Sequence, residues 1–154
     1  MVGDLLGREK GTAGTVESGL EVERGFLTQV GIARDEYALY DGSGMSRLNL
    51  VSPGAVVKLL QYADKQPWGA TFAGTLPVAG VDGSLIDRLK GAEGRVKGKT
   101  GTLTHVTVLA GYATTMSGER VAFSIFCNNH TLSTRRSQEL IDRIVLAFVD
   151  DAKK

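Results

Sequence analysis

Cysteine is almost missing from this chain. A single residue, Cys127, occurs in 154, so no disulfide framework within the chain can hold the fold. It stands in the apolar run 121–127, where a small buried thiol is expected rather than a reactive one. Histidine is as scarce, with only His105 and His130, and two histidines with one cysteine at these spacings make no metal site. No stretch approaches the roughly 18 consecutive apolar residues of a membrane span, and no basic, apolar, small-residue leader opens the chain. An excess of one charge is missing too: 18 Lys and Arg face 17 Asp and Glu, a formal charge of +1. No broad field therefore draws the chain to nucleic acid or to an anionic membrane.

What remains describes a folded domain. Hydrophobic residues make up 42% and charged residues 23%, ordinary for a soluble globular chain and far from the disordered regime. A chain of 154 residues is about one domain's worth and buries something like two-thirds of its unfolded surface. A single domain over 1–154 is the expectation. The Gly-rich stretch 1–15 starts in mid-pattern at Leu5 and Leu6, as the tail of an earlier helix would.

Apolar positions Val16, Leu20, Phe26, Leu27 and Val30 recur at helical spacing after Thr15 and before Gly31, which predicts a helix over 16–32 with threonine as cap. A short strand is expected at 37–40, ending in Asp41-Gly42-Ser43-Gly44, a cluster that forces a turn. Ser52-Pro53 opens a second helix running towards Pro67, with serine as cap and proline in the first turn. Shorter helices are expected at 68–76 and 84–89. Then come residues 95–99, a turn at Thr100-Gly101-Thr102, two β-rich runs at 106–115 and 120–128 joined through Ser117-Gly118-Glu119, and an amphipathic helix over 132–148. Helices, then antiparallel strands, then a returning helix argue an α+β fold with an antiparallel sheet and helices packed on it.

The sharpest local feature is Val96-Lys97-Gly98-Lys99-Thr100-Gly101-Thr102. A phosphate loop would need G-x-x-x-x-G-K-[ST], but the residue five before Gly98 is Glu93 and Gly94 comes one place too late. Such a loop must also run into a helix, whereas 106–115 reads as a strand. The other reading is that this run resembles the Lys-Thr-Gly strand of penicillin-binding enzymes, a resemblance that implies Lys99 beside a reaction centre, the hydroxyls of Thr100 and Thr102 offered to a terminal carboxylate, and the Thr102 amide directed at a developing oxyanion.

Three more phrases stand in order around it. Asp41-Gly42-Ser43-Gly44-Met45-Ser46-Arg47-Leu48-Asn49 lies upstream, Leu76-Pro77-Val78-Ala79-Gly80-Val81-Asp82-Gly83-Ser84-Leu85 lies between, and Leu109-Ala110-Gly111-Tyr112 with Ser117-Gly118 follows. Together they resemble the C-terminal portion of a serine D-Ala-D-Ala carboxypeptidase/endopeptidase of the class C penicillin-binding type, over roughly residues 12–150. The resemblance implies part of a penicillin-binding/β-lactamase-like transpeptidase fold, no cofactor, a peptidoglycan stem peptide as substrate of the parent protein, β-lactams as inhibitors, and a periplasmic or cell-envelope location. It also implies residue roles. Lys99, Thr100, Gly101 and Thr102 match the third catalytic motif, Arg47 the arginine that lines the substrate pocket, and Met45 and Leu103 its apolar walls. Met45 replaces the commoner leucine, a swap of similar volume. Asp41 to Gly44 are expected to act as a structural turn.

The same chemistry needs a Ser-x-x-Lys nucleophile and a Ser-x-Asn. Three places after the nine serines stand Glu21, Ser46, Asn49, Ala55, Asp87, Arg120, Cys127, Arg136 and Leu140, and two places after them no asparagine occurs. In the family both motifs precede the first helix, so the chain is expected to be a fragment, silent by itself, with Met1-Val2-Gly3 as an added start. An apolar face normally covered by the missing half is then expected, and self-association could cover it. The alternatives are a non-catalytic peptide-binding or interaction module, and a nucleotide binder using Gly98-Lys99-Thr100. A Ser/His/Asp site would have to use His105 or His130, each better read as a strand or loop residue.

Overall fold

The computed structural model describes residues 14–150, which divide into two compact units between Leu59 and Leu60. In the first unit, helix α1 spans Val16–Val30. Thr15 is extended and accepts from the Ser18 amide at 3.2 Å, while Ser18 Oγ accepts from the Thr15 amide at 3.0 Å, so two of the orphan donors of the first turn are satisfied reciprocally. Gly31 ends the helix in the left-handed conformation, at φ 84° and ψ 24°, which a residue without Cβ adopts without strain.

A 3-10 turn, Arg34–Glu36, leads into strand β1, Tyr37–Ala38. It pairs antiparallel with β2, Leu50–Val51, a two-residue strand that carries no periodic signal. β1 stops short of the expected Tyr40 because the amides of Tyr40 and Asp41 donate to Asn49 Oδ1, at 2.7 and 3.3 Å, instead of to a neighbouring strand. Helix α2 follows at Pro53–Asp64, where Ser52 Oγ accepts from the Ala55 amide at 3.0 Å. Ile32, Tyr37 and Ala55 form a small buried cluster with Leu27, Val30 and Leu59 beside them.

The second unit holds the larger core. Helix α3 is Gly69–Gly74. The helix expected at 84–89 is only a 3-10 turn, Gly83–Leu85, and Leu89, at φ 55°, cannot continue a right-handed helix. Strands β3, Val96–Leu103, β4, Val106–Thr114, and β5, Arg120–Asn128, form an antiparallel sheet in that order. The expected turn at Thr100-Gly101-Thr102 is strand instead: Thr100, Gly101 and Thr102 pair with Leu109, Val108 and Thr107. Eight residues in register with β4 outweigh the loop propensity of one glycine, and the chain reverses two residues later, where His105 takes φ 63°.

Helix α4, Thr134–Asp150, lies on this sheet. Leu85, Leu89, Val96, Leu109, Ile141 and Val145 are wholly or almost wholly buried between them, and the rings of Phe123 and Phe148 pack at 5.4 Å. Cys127, expected as a buried thiol, is half-buried beside this core. It lies at the β5 edge, where Phe126, Leu140, Ile144 and Ala147 help to line a groove of about 510 Å³.

Candidate functional site

β3 is an outer strand of its sheet, and its free edge is used in two ways. Over its first half a segment from the Leu76–Leu85 phrase lies along it: the Gly98 amide donates to the Pro77 carbonyl at 2.9 Å and the Ala79 amide to the Val96 carbonyl at 2.9 Å. Val78 faces Lys97 in an isolated bridge while its amide donates to Asp82 Oδ1 at 2.8 Å. Proline fits at the point where this strap ends, since it has no N–H to give to a ladder. Past Gly98, no main-chain bond among the described residues covers the edge.

Backbone direction follows from the ladder. In an antiparallel strand, residues alternate between bonding one neighbour and the other. Val96 and Gly98 bond outward to the strap, so Thr100 and Thr102 turn their amides and carbonyls outward as well, onto an uncovered edge. Lys99 uses one of these groups now: its Nζ donates to the Thr100 carbonyl at 2.6 Å, a charge-assisted bond made on the surface. The Thr100 hydroxyl donates to Ser84 Oγ at 3.0 Å. Ser84 comes from the 3-10 turn, which is pinned by the fully buried Leu85 and by the Gly80 amide donating to the Leu85 carbonyl at 3.0 Å. The sequence names Ser84 as part of a phrase but holds no sign of this contact, which arises from two segments 16 residues apart.

Lys99, Thr100, Gly101, Thr102 and Leu103 thus share one strand of the second unit. Met45 and Arg47 belong to a loop of the first unit. That loop is tied internally: the amide and hydroxyl of Ser43 donate to Asp41 Oδ1 at 2.9 and 2.7 Å, and Asn49 Nδ2 donates to the Asp41 carbonyl and carboxylate, both at 3.0 Å. These donors, the Ser43 hydroxyl first, hold the Asp41 carboxyl below the usual carboxylate range. Asp41 and Ser43 therefore shape the turn. Met45 and Arg47 lie exposed on it, Met45 at 69% of its surface.

The other chemical readings find no geometry here. Gly98-Lys99-Thr100 lies inside β3, so there is no helix N-terminus to receive a phosphate. His130 Nε2 lies 3.3 Å from Thr107 Oγ1, which lies 2.7 Å from Ser137 Oγ. Thr107 and Ser137 are 1% and 0% exposed, so this chain of hydroxyls has no access to a substrate. His105, in the β3–β4 turn, places Nδ1 at 2.8 Å from the His130 carbonyl; both histidines are loop residues, as expected.

Known proteins resemble this chain in sequence and fold. A D-alanyl-D-alanine carboxypeptidase of Actinomadura sp. (strain R39) is 43% identical over 133 residues, 82% of this chain and 24% of that protein. The crystal structure of penicillin binding protein 4 (dacB) from Haemophilus influenzae, complexed with a novel β-lactam, superposes with a TM-score of 0.80 and 30% identity over 94% of this chain and 36% of that one. A class A β-lactamase from Bacteroides cellulosilyticus, at 22% identity and a TM-score of 0.66 over 86% of this chain and 53% of its own, shares the fold, which is α+β of the penicillin-binding and β-lactamase type. The chain thus spans about a quarter of the Actinomadura relative's length. The model of the D-Ala-D-Ala carboxypeptidase 3 (S13) family matches residues 1–148, and the chain belongs to that family.

Proposed function

We propose that this chain provides the substrate-strand portion of a serine-type D-Ala-D-Ala carboxypeptidase/endopeptidase that acts on peptidoglycan stem peptides through an acyl-enzyme, and that residues 1–154 alone do not hydrolyse them. The observation that carries this reading is the edge of β3, covered up to Gly98 and open from Lys99 onward. An extended peptide adds to such an edge through main-chain bonds. Thr102 then offers its amide to the oxyanion, and the hydroxyls of Thr100 and Thr102 take the terminal carboxylate. Lys99 brings positive charge to the reaction centre once its ammonium leaves the Thr100 carbonyl. Arg47 and Met45, on their own loop, and Leu103, on β3, are each proposed as residues that contact the stem peptide.

Ser-x-x-Lys and Ser-x-Asn do not occur among residues 1–154, so the nucleophile and its base come from the rest of the full-length protein. β-Lactams are proposed to acylate that same serine, and the full-length protein is proposed to work in the periplasm or cell envelope. Among the described residues no helix is long and apolar enough to cross a membrane. Taken alone, the chain is also proposed to self-associate through the apolar face that the rest of the full-length protein would cover.

Labelling with a fluorescent penicillin tests the main reading. Covalent label is expected on the full-length protein and not on residues 1–154, each against a boiled control. Label on the short chain would place a reactive serine within it and overturn the division of labour; label on neither would favour a non-catalytic peptide-binding module, for which the same open edge would serve.

A further inference from the structure

A pair of hydroxyls at 3.0 Å holds two hydrogens and one mutual bond. Thr100 spends its hydrogen on Ser84 Oγ, and the hydrogen of Ser84, an exposed residue, remains for a ligand. The donation from Thr100 also polarises the Ser84 O–H and makes it the stronger donor. If a ligand instead takes the Thr100 hydrogen, Ser84 can turn round and donate to Thr100. In both arrangements the pair keeps one reinforced donor free, and the main-chain carbonyl of its Thr100 member holds the Lys99 ammonium.

The strap decides what part of a ligand arrives there. A peptide antiparallel to β3 runs its C-terminal end towards Gly98, and at Gly98 the edge is already taken by Pro77. The added strand must therefore end beside Thr100, and the group at the end of a peptide chain is its α-carboxylate. Thr100 and Ser84 are held there by two separate structures, β3 and the turn anchored by Leu85.

From this geometry we infer that Ser84 is a further specificity-determining residue of the peptidase, a donor to the free C-terminal carboxylate of the substrate that acts together with Thr100. The inference rests on the peptidase reading above. It gives the segment between the loop of Arg47 and β3 a direct part in selecting peptides with a free acid end.

The full-length protein tests it, with two substrates that differ only at the end: a stem-peptide analogue ending in D-Ala-D-Ala as the free acid, and the same peptide as the carboxamide. A charge-assisted bond lost from a carboxylate corresponds to about ten-fold. Ser84→Ala is therefore expected to lower the preference for acid over amide in kcat/KM by about that factor, mainly through KM. Ser84→Thr should restore the preference, and Ser84→Asp should reject the acid further while sparing the amide. Thermal midpoints of all variants should stay near that of the parent, since Ser84 is exposed. Equal losses on both substrates would mean that Ser84 only supports the strand, and an unchanged preference would mean that it does not meet the carboxylate; either result overturns the inference. Penicillin labelling of every variant separates the two readings: label with unchanged preference sinks the role of Ser84 alone, whereas absence of label on the parent sinks the peptidase reading and this inference with it.

Discussion

Replacing Gly111 by alanine tests how the candidate strand is held. Gly111 stands opposite Gly98 in the β3–β4 register, and a Cβ there would overlap the Lys97 carbonyl oxygen and stand 2.6 Å from Gly98 Cα. All these obstacles are backbone, so no side chain can swing aside. To restore ordinary van der Waals separation from Gly98 alone, β3 and β4 must part locally by roughly 0.8 Å, one residue from Lys99, and the bonded pairs on either side, Lys97 with Tyr112 and Lys99 with Ala110, stretch with them. Overpacking of a tight interior typically costs 1–3 kcal/mol. With no yielding side chain the cost here should fall at the upper end, about 3 kcal/mol, which lowers the melting temperature of a chain this size by roughly 9 °C. Thermal and urea unfolding followed by circular dichroism measure it. Gly101→Ala serves as control, because its Cβ would meet only Val108 Cβ at 3.6 Å, and its stability should stay within about 0.5 kcal/mol of the parent. A Gly111→Ala protein as stable as the control would show that the two strands do not approach as closely as described.

Three further outcomes follow from the contacts. Arg88 and Asp142 pair at 2.6 Å with side chains only 11% and 17% exposed. Asp142→Asn should therefore cost about 2 kcal/mol in urea unfolding, and Arg88→Met with Asp142→Leu should recover much of it; an Asp142→Asn protein of unchanged stability would rule the pair out as a tie between α4 and the segment before β3. The buried Tyr112 hydroxyl donates to the Leu60 carbonyl at 2.7 Å, so Tyr112→Phe should cost about 1 kcal/mol by the same assay, and no cost would mean that the carbonyl is satisfied without it. The Asp41 carboxyl is held low by Ser43 and Asn49, so the stabilisation it gives the loop is complete above the ordinary aspartate range and lost as the pH falls through its lowered folded-state pKa. The Asn49 side-chain amide resonances should shift only in that acid window, and Ser43→Ala should move their midpoint upward; an unmoved midpoint would refute the part assigned to Ser43.

Much of the architecture can be read locally. Thr15 and Gly31 bracket α1 because a cap and a left-handed terminator are properties of single residues. The β4–β5 hairpin forms where Gly118 supplies φ 89°. What a local reading misses is set by partners distant in sequence. Thr100-Gly101-Thr102 looks like a turn until β4 pairs with it, and β2 exists only because β1 does. The helix expected at 84–89 fails at Leu89, a residue whose left-handed φ of 55° no propensity foretells. For the site, Lys99 and its neighbours stand out as letters, while the strap on Gly98 and the contact of Ser84 with Thr100 appear only when two segments are placed side by side.

Those two contacts bear on how recognition and bond-making are divided. The open part of β3, the strap that ends it and the hydroxyl pair all lie in the second unit, and the strand is held by β4 and by a core that α4 completes. The edge thus needs no serine nucleophile in order to form. A peptide that adds to it gains main-chain bonds and a carboxylate contact, both of which act on the bound ground state as much as on the transition state, and such binding lowers KM without raising kcat. On the proposed reading only the Thr102 amide, assigned to charge that appears during reaction, belongs to rate. Changes at Ser84 and Thr100 should therefore register in KM and in the choice of chain end, whereas a change that removes the Thr102 amide hydrogen, such as Thr102→Pro, should register in kcat as well.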